Sequence, residues 1–225
     1  MAFVLFPGLT QLDLTGPWEV LRRLPDVRLY LVWKTLDPVV SDSGMAIVPT
    51  ATFETCPRCE VLFVPGGPGQ VECMEDGEVL GWLQQQGAQA EWVASVCTGS
   101  LLLAGAGLLG GYQATSHWMS RDQLARLGAT VVNQRIVVDR NRITGGGVTA
   151  GIDMALELAA LLSSEEEARR IGLQMEYDPA PPFGPGSPEC SELEMIVEVQ
   201  RRAKALLTRR REATEKARVR LGLTD

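Results

Sequence analysis

Cys97 is the residue whose type and setting most favour chemistry. It stands in Trp92-Val-Ala-Ser-Val-Cys97-Thr98-Gly99-Ser100, where an apolar, strand-like run passes through small residues into the Leu/Ala-rich stretch 100–109. A nucleophile on such a tight strand-to-helix turn sits at the carboxyl edge of a sheet, where open α/β folds bind ligands. The helix that follows offers free N–H groups and the positive end of its dipole, so the thiol is expected to be partly ionised near neutral pH. A free cysteine is often just a small buried hydrophobe; a second element tips the balance. Val61-Leu-Phe-Val64-Pro65-Gly66-Gly67-Pro68-Gly69 is another strand ending in a glycine turn. If 61–64 and 92–96 are neighbours, the amides near Gly66, Gly67 and Thr98 converge beside the sulfur as an anion-stabilising hole. The same glycines do not make a phosphate loop, because no Gly-Lys-Ser/Thr follows and the G-x-G-x-x-G spacing is absent.

A cysteine nucleophile usually works with an acid or base. His117 is the sole histidine, so a Cys–His pair uses it or does not exist; beside Trp118 it reads more readily as a hydrogen-bonded structural residue. Asp13, in Gln11-Leu12-Asp13-Leu14-Thr15-Gly16-Pro17-Trp18-Glu19, follows the first strand and precedes a helix that Pro17 is expected to open. Asp13 as a polar turn residue and Glu19 as a first-turn carboxylate are equally plain readings, and spacing alone does not choose between them. Cys56 and Cys59 form a C-x-x-C, but a zinc site needs two further Cys or His ligands at suitable spacing, so these read as ordinary thiols.

Short β-branched and aromatic runs at 3–6, 27–33, 61–64 and 92–96 predict strands, several buried on both faces. Helical spacing over 17–24, 78–86 and 100–109 alternates with them, which signals βαβ units and a mainly parallel sheet. Residues 130–132 and 136–138 predict short strands flanking Asn133-Gln134. Helices are expected over 149–162 and 164–175, with a serine of Ser163-Ser164 capping the second ahead of Glu165, Glu166 and Glu167. After the Pro/Gly-rich segment 179–188, a charged pattern over 191–217 predicts an amphipathic helix, packed on the domain or a partner, with a frayed end. The expected organisation is one α/β domain over 1–190 and a helical tail over 191–225.

The chain has 225 residues, and 28 acidic against 21 basic side chains give a net charge of −7. That balance disfavours nucleic acid and anionic membranes as partners, which need clustered Lys and Arg. No signal peptide is legible at the amino terminus and no apolar run reaches a spanning length. Five scattered cysteines then read as reduced thiols in a cytoplasmic protein.

Several of these segments together resemble the ThiJ/PfpI family, part of the class I glutamine amidotransferase-like superfamily. They are Phe6-Pro7-Gly8, Gln11–Pro17, Val64-Pro65-Gly66-Gly67, Ser95–Ser100, Thr144-Gly-Gly-Gly-Val148-Thr-Ala-Gly-Ile-Asp153 and Glu176-Tyr-Asp-Pro-Ala-Pro-Pro-Phe183. Within the family the sequence is similar to its isonitrile-hydrating branch. The resemblance implies a flavodoxin-like three-layer sandwich, usually a homodimer, with Cys97 as nucleophile, Asp13 in the acid/base role, and Gly66, Gly67 and Val148 at the oxyanion and substrate pocket. Thr98 stands where amidotransferases carry histidine, which argues against amidase or protease chemistry. Some relatives are transcriptional regulators, but the residues after 190 read as too short and too mixed in charge for a paired helix-turn-helix unit. The implied reaction is hydration of an isonitrile to a formamide through a Cys97 thioimidate, with Asp13 sharing a proton with the thiol and Thr98 orienting water. It calls for neither metal nor organic cofactor. The alternatives are a redox sensor using an oxidisable Cys97, and an amidase or glyoxalase-like enzyme on the same scaffold.

Overall fold

The apolar runs become the centre of a sheet because their backbones can satisfy one another while their side chains are covered from both sides. The computed structural model describes residues 1–223. Its strands are β1 (Ala2–Val4), β2 (Tyr30–Trp33), β3 (Val39–Val40), β4 (Ala46–Ile47), β5 (Ala51–Thr52), β6 (Val61–Val64), β7 (Trp92–Val96), β8 (Gln113–Ala114), β9 (Thr130–Val131), β10 (Ile136–Asp139) and β11 (Arg142–Gly145). Seven of them form one sheet in the order β10-β11-β7-β6-β1-β2-β5. Every pair in it is parallel except β10 with β11. The helices are α1 (Gln11–Leu21), α2 (Gln70–Cys73), α3 (Gly77–Gln89), α4 (Gly99–Gly105), α5 (Arg121–Arg126), α6 (Ala150–Leu162), α7 (Glu165–Gln174) and α8 (Leu193–Arg220). α1, α6 and α7 pack as one set, while α4 gathers α2, α3, α5 and α8 into another. β1, β6 and β11 are buried along their whole length, as strands covered by helices on both faces must be. This is the mostly parallel, three-layer α/β sandwich that the alternation of strand and helix patterns leads one to expect.

The sheet order places chemistry. β1 leads through α1 to β2 on one side, while β6 leads to β7 on the other, so the chain changes direction between β1 and β6. Open α/β sheets hold their ligands outside the carboxyl ends of the strands at such a point. β6 and β7 are parallel neighbours, with Val64 opposite Ser95, and the turns after β1, β6 and β7 therefore meet.

Two elements differ from the sequence-based expectation. α1 begins at Gln11 rather than at Pro17, which lies inside the helix and puts Asp13 in its first turn. Proline lacks the N–H that would reach back four residues, so the Asp13 carbonyl loses its helical donor, and the early start places Glu19 well past the first turn. The segments flanking Asn133-Gln134 are strands as expected, β9 pairing with β8 and β10 with β11. The carboxyl-terminal helix does not fray at 217 but runs to Arg220, because small side chains let it lie close to the body. Ala213 and Ala217 are fully buried, and the Arg220 guanidinium donates to the carbonyls of Met74 at 3.1 Å and Gly105 at 3.0 Å. Ser164 caps α7 as expected, accepting from the Glu167 amide at 3.1 Å.

Candidate active site

Cys97 occupies the turn between β7 and α4 with φ of +54°, a left-handed conformation uncommon for any residue but glycine. The strain is held by what surrounds it. Its N–H donates to the carbonyls of Gly145 (3.1 Å) and Gly146 (2.8 Å), and its carbonyl accepts from Ser116 Oγ at 2.7 Å. Gly99 lets α4 start immediately: a Cβ there would collide with the Val64 carbonyl of β6. A tight turn with the thiol projected at the sheet edge is the geometry of a nucleophile elbow.

Asp13 is brought to this thiol. Its side chain is fully buried. Oδ2 accepts from the Gly66 N–H at 2.9 Å, and Oδ1 is buried without a hydrogen-bonding partner of the ordinary kind. The Cys97 side chain also acts on the carboxyl, favouring its charged form. Burial pushes the Asp13 pKa up to about 7, opposed by the Gly66 amide and by Cys97 and assisted by the charge of Asp42. The Cys97 thiol moves in the opposite direction from the one its helix N-terminus suggests. Burial and the neighbouring Asp13 carboxylate raise its pKa well above the ordinary thiol value, against the Thr98 N–H and the charge of Arg210. The amide at the helix terminus acts as expected, but desolvation outweighs it. Both shifts favour the protonated forms, so near neutral pH the thiol keeps its proton while the carboxyl, with a pKa of about 7, is partly protonated.

The glycine turn has a different job from the one anticipated. The Gly66 amide is engaged by Asp13, and the Gly67 amide donates to Thr98 Oγ1 at 3.0 Å. Thr98 Oγ1 in turn donates to the Gly67 carbonyl at 3.3 Å, so its proton is not free to orient a water. These contacts clamp the β6 turn to the β7 turn and position the carboxyl; of the three amides, it is Thr98 N–H that addresses the sulfur. A Cβ on Gly66 would lie 2.5 Å from the Thr98 nitrogen and 2.8 Å from Asp13 Oδ2, so only glycine fits. Val148 is partly buried and, with His117, Trp118, Gly146, Gly147 and Glu189, lines a cavity of about 380 Å³. Since Gly146 also holds the Cys97 amide, this cavity adjoins the elbow.

His117 does not join Cys97 and Asp13 as a titrating partner. Its Nδ1 accepts from the Met119 amide at 3.4 Å, and burial, with Arg210 and Arg121, lowers its pKa to about 4. It is a neutral ring that caps a short turn. Glu19 is exposed and pairs with Arg23 at 2.8 Å. Cys56 and Cys59 precede the amino end of β6, at the opposite end of the sheet, where Cys59 lines a separate cavity of about 490 Å³ with Met1 and Tyr30. Among the described residues no cluster of His, Cys, Asp and Glu could hold a metal ion.

Sequence reasoning missed three contributors. Ser116 fixes the elbow carbonyl, Asp42 raises the pKa of Asp13, and Arg210 reaches in from α8. None has a local motif, since each acts across the fold; only the proximity of Ser116 to His117 marked its neighbourhood.

Residues 1–161 match the model of the DJ-1/PfpI family. The chain is 51% identical over 223 residues to an isonitrile hydratase of Pseudomonas putida, covering 99% of this chain and 98% of that protein. It is 31% identical over 219 residues to the HTH-type transcriptional regulator GbdR of Pseudomonas aeruginosa, covering 88% of this chain but 59% of the regulator. Among solved structures, a ThiJ/PfpI family protein from Pseudomonas syringae superposes with a TM-score of 0.93 at 45% identity, over 95% of this chain and 89% of that one. Drosophila melanogaster DJ-1beta, at 22% identity and a TM-score of 0.70, covers 78% of this chain and 96% of its own, and shares the fold.

Proposed function

Because the chain belongs to the DJ-1/PfpI family, we propose that it hydrates an isonitrile to an N-substituted formamide, with Cys97 as nucleophile and Asp13 as the group that moves the proton. The observation that carries this reading is a buried carboxyl, of pKa about 7, facing a buried thiol at the switch point of the sheet. A general base works best when its pKa lies near the working pH. The substrate class follows from likeness to the Pseudomonas putida enzyme along nearly the whole of both chains.

As the sulfur attacks the terminal carbon of R–N≡C, its proton passes to Asp13 and from there to that carbon. The product of this step is the thioimidate R–N=CH–S–Cys97. Water adds to the same carbon, giving R–NH–CH(OH)–S–Cys97. Loss of the sulfur releases R–NH–CHO, and a proton returned through Asp13 restores the thiol. Covalent catalysis divides one difficult addition into two easier ones, and the cavity beside Gly146 and Val148 receives the substituent R. Thr98 serves through its backbone N–H on the sulfur, and through a hydroxyl that locks the two turns together.

A redox sensor is less well served by this site. Oxidation follows thiolate character and exposure, whereas Cys97 is 6% exposed and its thiol form is favoured.

Steady-state formamide production from cyclohexyl isonitrile tests the reading. Cys97→Ser is expected to abolish turnover with the fold retained, and Asp13→Asn to lower it by about a hundredfold or more, the span of a positioned acid/base group. Retention of most activity by Cys97→Ser removes the thiol from the mechanism. An inactive but fully stable His117→Gln, together with an active Asp13→Asn, replaces Asp13 by the imidazole. We also infer a homodimer, supported by the apolar residues that the single chain leaves exposed on the first half of α8.

A further inference from the structure

Arg210 is a charge in an unexpected place. It lies on the second half of α8 and is 4% exposed, yet among the described residues no carboxylate stands within ion-pair distance of it. Its Nε donates to Gln70 Oε1 at 2.9 Å and its Nη1 to Ser120 Oγ at 3.0 Å. Both partners are neutral. A buried guanidinium always keeps its charge, and a buried charge without an opposite one is costly unless a partner ionises near it. The partners also say where the charge is aimed. Gln70 opens the short helix directly after the glycine turn that holds Asp13 and Thr98. Ser120 ends the turn begun by His117, next to Ser116, whose hydroxyl fixes the Cys97 carbonyl.

We propose that Arg210 is a positioning residue for the catalytic proton: its fixed positive charge, delivered by α8, stabilises the Cys97 thiolate and draws the shared proton from Cys97 to Asp13. This rests on reading Cys97 as the nucleophile. The charged groups around the thiol are few. Asp13 from α1 opposes its ionisation, and the Thr98 amide on its own turn and Arg210 from α8 favour it. Asp42 acts on Asp13, and Arg121 with Arg210 on His117. The charge of Arg210 acts on the thiol and favours its ionised form. Without it the thiolate would face Asp13 and a desolvated pocket with one backbone amide for support.

The test reads Cys97 directly. The rate of its alkylation by iodoacetamide, resolved from the other cysteines by peptide mass spectrometry, is followed against pH for wild type, Arg210→Gln and Arg210→Lys, each with a melting curve. Arg210→Gln is expected to move the alkylation midpoint to higher pH and to slow the reaction about tenfold near neutrality, the equivalent of one pKa unit, while Arg210→Lys restores most of the rate. Gln70→Glu is the second variant, because it leaves the guanidinium in place and neutralises it with an adjacent carboxylate; it should shift the profile the same way. Profiles for folded Arg210→Gln or Gln70→Glu that overlay wild type overturn the proposal, and so does an Arg210→Lys profile matching that of Arg210→Gln. No isonitrile enters this measurement, so a failure of the hydratase reading shows separately, as absence of formamide from wild type.

Discussion

A carboxyl group buried at the reacting end of a sheet costs stability when it ionises, and the size of that cost changes with pH. Asp13 has its pKa raised from 3.8 to about 7 in the folded chain. Between those values the folded state binds a proton that the unfolded state has lost, so folding stability falls as pH rises through this window and stays lower above it. Asp13→Asn keeps an oxygen for the Gly66 amide but cannot ionise. Its melting temperature should exceed that of wild type above about pH 7, and the advantage should vanish near pH 4. A difference that does not change with pH would show that Asp13 is not held against its charge. The same residue then gives up activity and gains stability, the trade expected where a site is strained for function.

At the scale of elements, the elbow depends on how closely α4 can approach β6. A methyl on Gly99 would run into the Val64 carbonyl and lie 2.7 Å from that of Pro65, both of them backbone atoms that cannot turn aside. Gly99→Ala is therefore expected to lose about 1–3 kcal/mol, the usual cost of overpacking, and to lower turnover in the folded fraction by shifting Cys97. Gly81, inside α3, has open space around its Cβ position, so Gly81→Ala should gain about 0.5–1 kcal/mol from helix propensity. Chemical denaturation of the pair checks both signs; equal effects would mean that the close approach at Gly99 carries no weight. The strand runs 61–64 and 92–96 were legible because they are apolar, short and bounded by turn residues, and their adjacency follows from the βαβ alternation. Cys97 was legible for the same reason, as a thiol at a strand-to-helix turn. The start of α1 was not, because proline fits best at a first helical position when judged locally, whereas packing puts Pro17 inside the helix. The direction of the Cys97 shift was hidden too, since a helix terminus is a local feature but desolvation by the assembled core is not. Arg210 lies 140 residues from Gln70 and 90 from Ser120, and no spacing rule joins positions so far apart.

For the whole molecule, α8 divides into two halves with different surroundings. Leu207, Arg210, Ala213, Thr214 and Ala217 are buried against the body, while Leu193, Met195, Val197 and Val199 on the first half are exposed, as is Phe183 in the segment between α7 and α8. No helix of the described residues is long and apolar enough to cross a membrane. Exposed apolar side chains along one helical segment suit an interaction site, and a second copy is the occupant that fits the inferred homodimer. Light scattering at micromolar concentration should give twice the 24.4 kDa chain mass. Val197→Lys with Val199→Lys should return the monomer, because two charges brought into such a contact would be desolvated without partners. A wild-type monomer overturns the dimer, and a dimeric double variant moves the contact to another face. The consequence reaches the site through the segment between α7 and α8. Glu189, on that segment, accepts from Asn133 at 3.0 Å and faces Arg121 at 3.8 Å beside the cavity lined by Gly146 and Val148. If the partner copy steadies this segment, the monomeric double variant should bind isonitrile more weakly, with a higher KM, while kcat changes little because Cys97, Asp13 and Arg210 keep their places.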